Sequence, residues 1–186
     1  AAAIRCREFG LDTVLYDEQP GFGGQIYRGI TRSPLIQPEV LGAEYWQGAP
    51  LVRALEKSGA GHVPDATVWS ATATDGGIAL GVAVGTPGRR TSRVVQARAA
   101  ILATGAMERP FPVPGWTLPG VIGAGGAQIL LKTAGVVPQG RTVLAGSGPL
   151  LWLLAWQYLR AGVGIVAMLD TTPRGRLSKA LRHAPD

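Results

Sequence analysis

The chain has 186 residues, of which 46% are hydrophobic and 16% charged, with 27 glycines, 14 prolines, one cysteine and a formal net charge of +6. That length buries one good core or two small ones, and the apolar share excludes a disordered chain. The lone cysteine excludes a disulfide framework, a CxxC redox pair and a zinc cluster, while the basic excess lacks the interleaved aromatics of a nucleic-acid-binding face.

Arg89, Arg90, Arg93 and Arg98 therefore read as a solvated hairpin, with Arg109 beyond them, and the excess charge suits an anionic ligand. The first residues lack a charged stretch followed by an apolar one, and "PLLWLLAWQYL" (149–159) is too short to cross a bilayer. A cytoplasmic protein with no membrane span and no nucleic-acid partner is the expectation.

In chain order, "AAAIRCREFG" is helix-forming from its first residue, has no N-cap signal, and stops at Gly10. Cys6 falls within it as a small filler. "DTVLYDE" is the next strand, so the chain reads as opening inside a helix whose preceding strand lies before Ala1. The strand ends in Asp17 and Glu18, and a glycine pair, Gly23 and Gly24, follows. A carboxylate at a strand tip can accept both hydroxyl hydrogens of an adenosine ribose. Two glycines let backbone pass close to a bulky cofactor, with Gln25 and Arg28 in reach. The plain alternatives are an exposed acid and an ordinary turn.

Residues 20–50 are loop-rich, and 49–59 is a short amphipathic helix ending at Gly59. Three β-type stretches follow at 66–74, 77–85 and 92–105, separated by the turn signals "DGG" and "TPGRR". The last of them closes on "AAILATG", an apolar run expected of a strand buried on both faces. Four prolines stiffen 106–120, where a boundary between domains at 1–110 and 111–186 is expected. Glu108 and Arg109 beside it suit an ion pair better than acid–base catalysis.

The remainder reads as helix (126–135), strand ("RTVLAGSG"), helix ("PLLWLLAWQYLRAG") and strand ("VGIVAMLD"). The order strand, loop, helix, strand over 141–170 is that of one mononucleotide-binding half. Gly146 and Gly148 stand at GxG spacing between strand and helix, as a dinucleotide-binding loop requires. Leu151 occupies the third-glycine position, which pushes the helix outward, and Pro149 is tolerated in the first turn. Asp170 ends the second strand where a ribose-binding acid is expected, and Arg174 and Arg176 beyond it would suit a 2′-phosphate. Two readings stay open: a working nicotinamide-nucleotide site, or a retained fold whose site has decayed. The apolar residues around Trp152 and Trp156 suit a buried core helix. His62 and His183 are isolated, so no metal is expected, and Ser147 lies outside a nucleophile elbow.

"VLYDEQPGFGGQIYR", "AAILATGAMERPFPVPGWTLPGV" and "VLAGSGPLL" together resemble the two-dinucleotide-domain flavoproteins. The nearest likeness is to the larger flavoprotein subunits of the opine oxidase, hydroxyproline dehydrogenase and hydrogen cyanide synthase type. Heterotetrameric sarcosine oxidase alpha chains are looser relatives, and low-molecular-weight thioredoxin reductases distant ones. The resemblance implies an α/β fold of two partial Rossmann-like FAD/NAD(P)-binding domains, with a small β-meander inserted in the first. It implies that Asp17, with Glu18 beside it, binds the FAD ribose. Gly23, Gly24, Gln25 and Arg28 line the FAD, Val68 offers its backbone to the adenine, and Ala103, Thr104 and Gly105 close over the cofactor.

The family's GxGxxG falls before Ala1 and its closing Gly-Asp after Asp186, so the chain is expected to be a piece of a longer protein. No cysteine pair follows Gly24, which excludes a dithiol relay. The expected activity is FAD-dependent oxidation of a secondary amine or an amino acid-derived substrate, within a heteromer containing a second flavoprotein subunit. The alternatives are an NAD(P)H-dependent flavin reductase and a non-catalytic assembly module. No catalytic side chain is singled out.

Overall fold

The computed structural model describes residues 1–35, 37–109 and 112–173; Arg174, Arg176 and His183 lie outside them. The protein is mixed α/β, with three separate sheets among the described residues. Its chain divides into two compact units, Ala1–Thr31 with Gln47–Gly105, and Arg32–Trp46 with Ala106–Asp186. The segment 32–46, expected in the first piece, thus clusters with the second.

In the first unit, α1 (Ala2–Glu8) ends at Phe9 and the chain reverses at Gly10, with φ +73°. Its Arg5 and Glu8 pair across one turn, and Cys6 is half-buried. β1 (Val14–Tyr16) then runs parallel to β2 (Gly61–Val63), in the register Val14–Gly61, Leu15–His62 and Tyr16–Val63. The crossover between them contains α3 (Gly48–Lys57), which buries Val52 and stops before the left-handed Gly59. β2 is an element the sequence pattern did not announce, since three residues are too few to show a period.

β3 (Ala66–Thr74), β4 (Gly77–Val84) and β5 (Thr91–Ala97) form the expected antiparallel meander. Trp69 is the unpaired residue of a bulge between the pairs Val68–Val82 and Ser70–Gly81, and its indole lies over Gly81, where a Cβ would be 2.6 Å from the ring. Alternation along the strands sends Ala66, Leu80 and Val82 into one core, with Tyr16, Val63, Ile78 and Val95 packed against it.

One expectation is overturned here. Residues 99–105 form no strand, and Ile101 and Leu102 are 65% and 76% exposed. A strand buried on both faces needs neighbours along its edges and layers over its faces. None of the described residues provides either.

In the second unit, a 3₁₀ turn (Pro38–Val40) and α2 (Ala43–Trp46) precede α4 (Ala124–Ala134), β6 (Thr142–Gly146), α5 (Pro149–Arg160) and β7 (Ile165–Asp170). α4 is closed at its C-terminus by Gly135, whose left-handed backbone (φ +65°) points its N–H at the Leu131 carbonyl. At its other end the Glu108 carboxylate accepts from the Gly125 N–H at 2.8 Å. A Cβ on Gly123 would stand 2.6 Å from that carboxylate. Glu108 thus caps a helix, where an ion pair with Arg109 was expected.

β6 and β7 are parallel and joined through α5, and Gly146 and Asp170 are partners at the strand ends. The core of this unit gathers Leu131, Leu144, Leu151, Leu154, Tyr158 and Val163. α5 is sunk only on one side. Leu150 and Leu159 are exposed, and Trp152 and Trp156 are half-buried, so the helix is less enclosed than its apolar composition predicts.

Gln128, Lys132 and Gln157 lie buried within this apolar unit. Lys132 Nζ donates to Gln128 Oε1 (2.9 Å), Gln128 Nε2 to Gln157 Oε1 (3.0 Å), and Gln157 Nε2 to the Leu41 carbonyl (3.1 Å). The Lys132 ammonium also faces the Tyr45 ring, 5.6 Å from its centroid. This relay ties α4 and α5 to the segment before α2.

Candidate functional site

The residues expected to form a site in the first unit begin at the carboxyl end of β1. The strand sets Asp17 one residue past Tyr16, and its backbone is held on both sides: its N–H donates to Val63 O (3.1 Å) and its carbonyl accepts from Ala66 N (2.9 Å). That joins the acid to the start of β3, two residues before Val68. Asp17 Oδ1 accepts from the Gln19 N–H at 2.9 Å, which turns the chain away from the strand. Among the described residues Oδ2 has no hydrogen-bond partner. The carboxylate therefore keeps an oxygen able to take a ribose hydroxyl.

Phe22 stacks on His62 with ring centroids 4.1 Å apart, pinning the following loop to β2. Sequence reasoning missed this contact, although both residues were visible in it. Gly23 (φ +125°) is obligatory, because a Cβ there would overlap the Tyr27 carbonyl oxygen. Gly24 (φ +55°) has nothing within 4 Å of where its Cβ would lie. One glycine closes the turn and the other leaves bare backbone facing open space. Gln25 is exposed and Arg28 half-buried on the same loop. Glu18, next to Asp17, is exposed.

Val68 is 42% exposed and lies in the ladder opposite Val82. Ala103, Thr104 and Gly105 are exposed, and no hydrogen bond joins them to Asp17 or the glycine loop among the described residues. The described contacts join Asp17 to the start of β3, and Phe22, next to Gly23 and Gly24, to β2; no hydrogen bond is found from the 103–105 segment to any of them among the described residues. The residues at the end of β1 and in the loop after it have the chemistry an adenosine-bearing cofactor needs. They comprise an acceptor at a strand tip, a backbone cradle without side chains, and neighbouring polar residues on the loop.

The second unit places its expected residues in one spot as well, but engages them with each other. Asp170 Oδ1 accepts from the Thr172 N–H (2.8 Å) and Oδ2 from the Trp152 indole N–H (2.9 Å). Hydrogen bonds from the Thr172 side chain and backbone, with that from Trp152, hold the Asp170 carboxyl below its usual range. Gly148 N donates to Thr172 Oγ1 (3.3 Å), and the N–H and hydroxyl of Thr171 both donate to the Gly146 carbonyl (2.8 and 3.0 Å). The glycine loop is stitched to the end of β7. No cluster of His, Cys, Asp or Glu able to hold a metal occurs among the described residues. No helix among them is long and apolar enough to cross a membrane.

No protein-family model matches the chain. Its sequence is 47% identical over 188 residues to an opine oxidase subunit of Agrobacterium tumefaciens (strain Ach5), covering 100% of this chain and 37% of that protein. It is 38% identical over 179 residues to the hydrogen cyanide synthase subunit HcnB of Pseudomonas aeruginosa, covering 96% of this chain and 38% of that protein. The chain therefore spans little more than a third of the length of these curated relatives. Among solved structures, L-proline dehydrogenase from P. horikoshii matches with a TM-score of 0.69 at 17% identity, over 90% of this chain and 32% of that one. The chain is a homologue of the opine oxidase subunit over its whole length and of HcnB over nearly all of it, and its fold is like that of a dehydrogenase.

Proposed function

We propose that this chain is part of an FAD-dependent oxidoreductase that oxidises a secondary amine or an amino acid-derived substrate, working with a second subunit. The first unit is then a partial Rossmann-like FAD-binding domain carrying an inserted meander, and the second a partial domain of the NAD(P)-binding type. One observation carries the reading: Asp17, with an unengaged carboxylate oxygen, ends β1, and the loop that follows it carries the bare Gly23–Gly24 backbone. It does so in a chain homologous throughout to a protein named for opine oxidase. Both relatives are named as subunits, which supports a heteromeric assembly.

In this reading Asp17 accepts the hydroxyls of the adenosine ribose and Glu18 lies beside it. Gly23 and Gly24 admit the cofactor to the backbone, and Gln25 and Arg28 contact it from the same loop. The Val68 backbone faces the adenine, and Ala103, Thr104 and Gly105 close the site in the longer protein. When bound, the flavin supplies the two-electron redox chemistry. The residues here bind and orient it, and none forms an acid–base pair suited to proton transfer.

Purified full-length protein should show flavin absorbance, and its flavin should bleach anaerobically on adding an opine or another N-substituted amino acid. Asp17→Ala should lower the flavin content of the purified protein at least tenfold. Bleaching by NADH alone would instead identify a flavin reductase, and a colourless protein would identify an assembly module.

A further inference from the structure

The second unit carries the parts of a dinucleotide site, and several of them are already engaged. A pyrophosphate bound at the start of a helix relies on backbone N–H groups of the glycine loop and first turn. Here Gly148 N donates to Thr172 Oγ1, Leu151 N donates to the Gly148 carbonyl, and Pro149 has no N–H to give. The third-glycine position holds Leu151, which is 4% exposed and reaches to 3.9 Å from where a Cβ on Gly146 would be. At the sugar end, both Asp170 oxygens accept from the chain's own donors.

The Trp152 contact differs from the others in kind. Thr172 lies two residues from Asp170 and reaches the glycine loop only through its hydroxyl oxygen, which accepts from Gly148 N. Trp152 comes from the first turn of α5, across the crevice between the helix start and the end of β7. An adenosine ribose lies in that crevice when a nucleotide binds at such a strand end. Donating to Asp170 Oδ2 at 2.9 Å sets the indole N–H against the acid where a ribose hydroxyl would otherwise donate.

We infer that the β6–α5–β7 unit is closed to pyridine dinucleotides, and that Trp152 is the residue that closes it. The indole stands in for the ribose: it fills the sugar's place and supplies the donor that the acid would take from a hydroxyl. The unit then contributes a packed scaffold to the longer protein. This inference concerns residues of the second unit alone, so it stands or falls separately from the flavin reading.

The test is calorimetric titration of NADH and NADPH into full-length protein, compared with Trp152→Ala and Trp152→Leu. The second variant keeps an apolar residue in the first turn of α5 in case the first does not fold. The expected result is no saturable binding to the unsubstituted protein up to millimolar nucleotide. Either folded variant should bind at least tenfold more tightly, and the gain should vanish when Asp170→Asn is added. Saturable binding to the unsubstituted protein that Asp170→Asn abolishes would overturn the inference. So would Trp152 variants that bind no better than the parent. Flavin absorbance recorded on the same samples reports the other site independently.

Discussion

The indole N–H of Trp152 donates to Asp170 Oδ2 at 2.9 Å, joining the first turn of α5 to the last residue of β7. Both residues are half-buried, and Thr172 supplies the acid's other donors. The bonds from the Thr172 side chain and backbone, together with that from Trp152, depress the carboxyl below its ordinary value of 3.8. The unfolded chain therefore binds a proton here before the folded one does. The resulting stability is present above pH 3.8 and is lost as pH falls through the folded-state value. Acid titration followed by tryptophan emission should show this component, and Asp170→Asn should flatten the acid limb. Equal limbs in the two proteins would remove the lock.

Gln157 is 1% exposed and stands at the centre of the relay from Lys132 to the Leu41 carbonyl. Gln157→Leu leaves the Gln128 amide and the Leu41 carbonyl without their partner. An orphaned buried polar group costs about 1–3 kcal/mol, so the substitution should destabilise the protein by roughly 2–5 kcal/mol in a denaturant titration. The Gln128→Leu, Gln157→Leu double variant should cost less than the two singles together, because it removes donor and acceptor at once. Strict additivity would mean that the amides are not coupled.

Tyr45 is buried beside Lys132, and burial pushes its hydroxyl up to about 12 from 10.0. A raised folded-state value means the folded chain keeps its proton after the unfolded one has released it. Stability is therefore full below pH 10 and declines as pH rises toward 12. Chemical denaturation across the alkaline range should show this decline, and Tyr45→Phe should reduce it. A Tyr45→Phe protein with the same alkaline slope would assign the loss to other groups.

How far the sequence reveals this protein depends on the range of the interaction. β3 and β4 were legible because a run of alternating residues and the "DGG" turn are local features. The ends of α1 and α3 were legible for a similar reason: Gly10 and Gly59 each adopt positive φ, which few other residues tolerate. β2 escaped notice because three residues carry no period, and its existence depends on pairing with β1. The run "AAILATG" misled for the converse reason. Its apolarity predicts a strand, yet a strand forms only where neighbours accept its hydrogen bonds.

The candidate site divides along the same line. Asp17 and the glycine pair could be named from spacing, since the strand tip and the turn that follows are adjacent in sequence. So could Gly146, Gly148 and Asp170 in the second unit. The Trp152 bond to Asp170 spans 18 residues and has no periodic signature, and a tryptophan among leucines reads as core. The Phe22–His62 stack spans an even longer interval, and nothing in either residue's neighbourhood indicates the other.

Gly23 and Gly24 separate the stability of the first unit from the cofactor binding proposed for it. At Gly23 a methyl group would overlap the Tyr27 carbonyl, and φ is +125°. Gly23→Ala combines steric overlap with a backbone region that L-residues avoid, so it should cost on the order of 3 kcal/mol or prevent folding. At Gly24 the φ of +55° is within the left-handed region, and no atom lies within 4 Å of the added methyl. Gly24→Ala should cost only about 1–2 kcal/mol. The open space that makes Gly24→Ala mild for folding is the space assigned to the cofactor. Full-length Gly24→Ala protein should therefore melt within several degrees of the parent and yet retain severalfold less flavin after gel filtration. If it retains flavin in full, the cofactor does not approach this backbone, and Asp17 is an acid at a strand end with no ligand to hold.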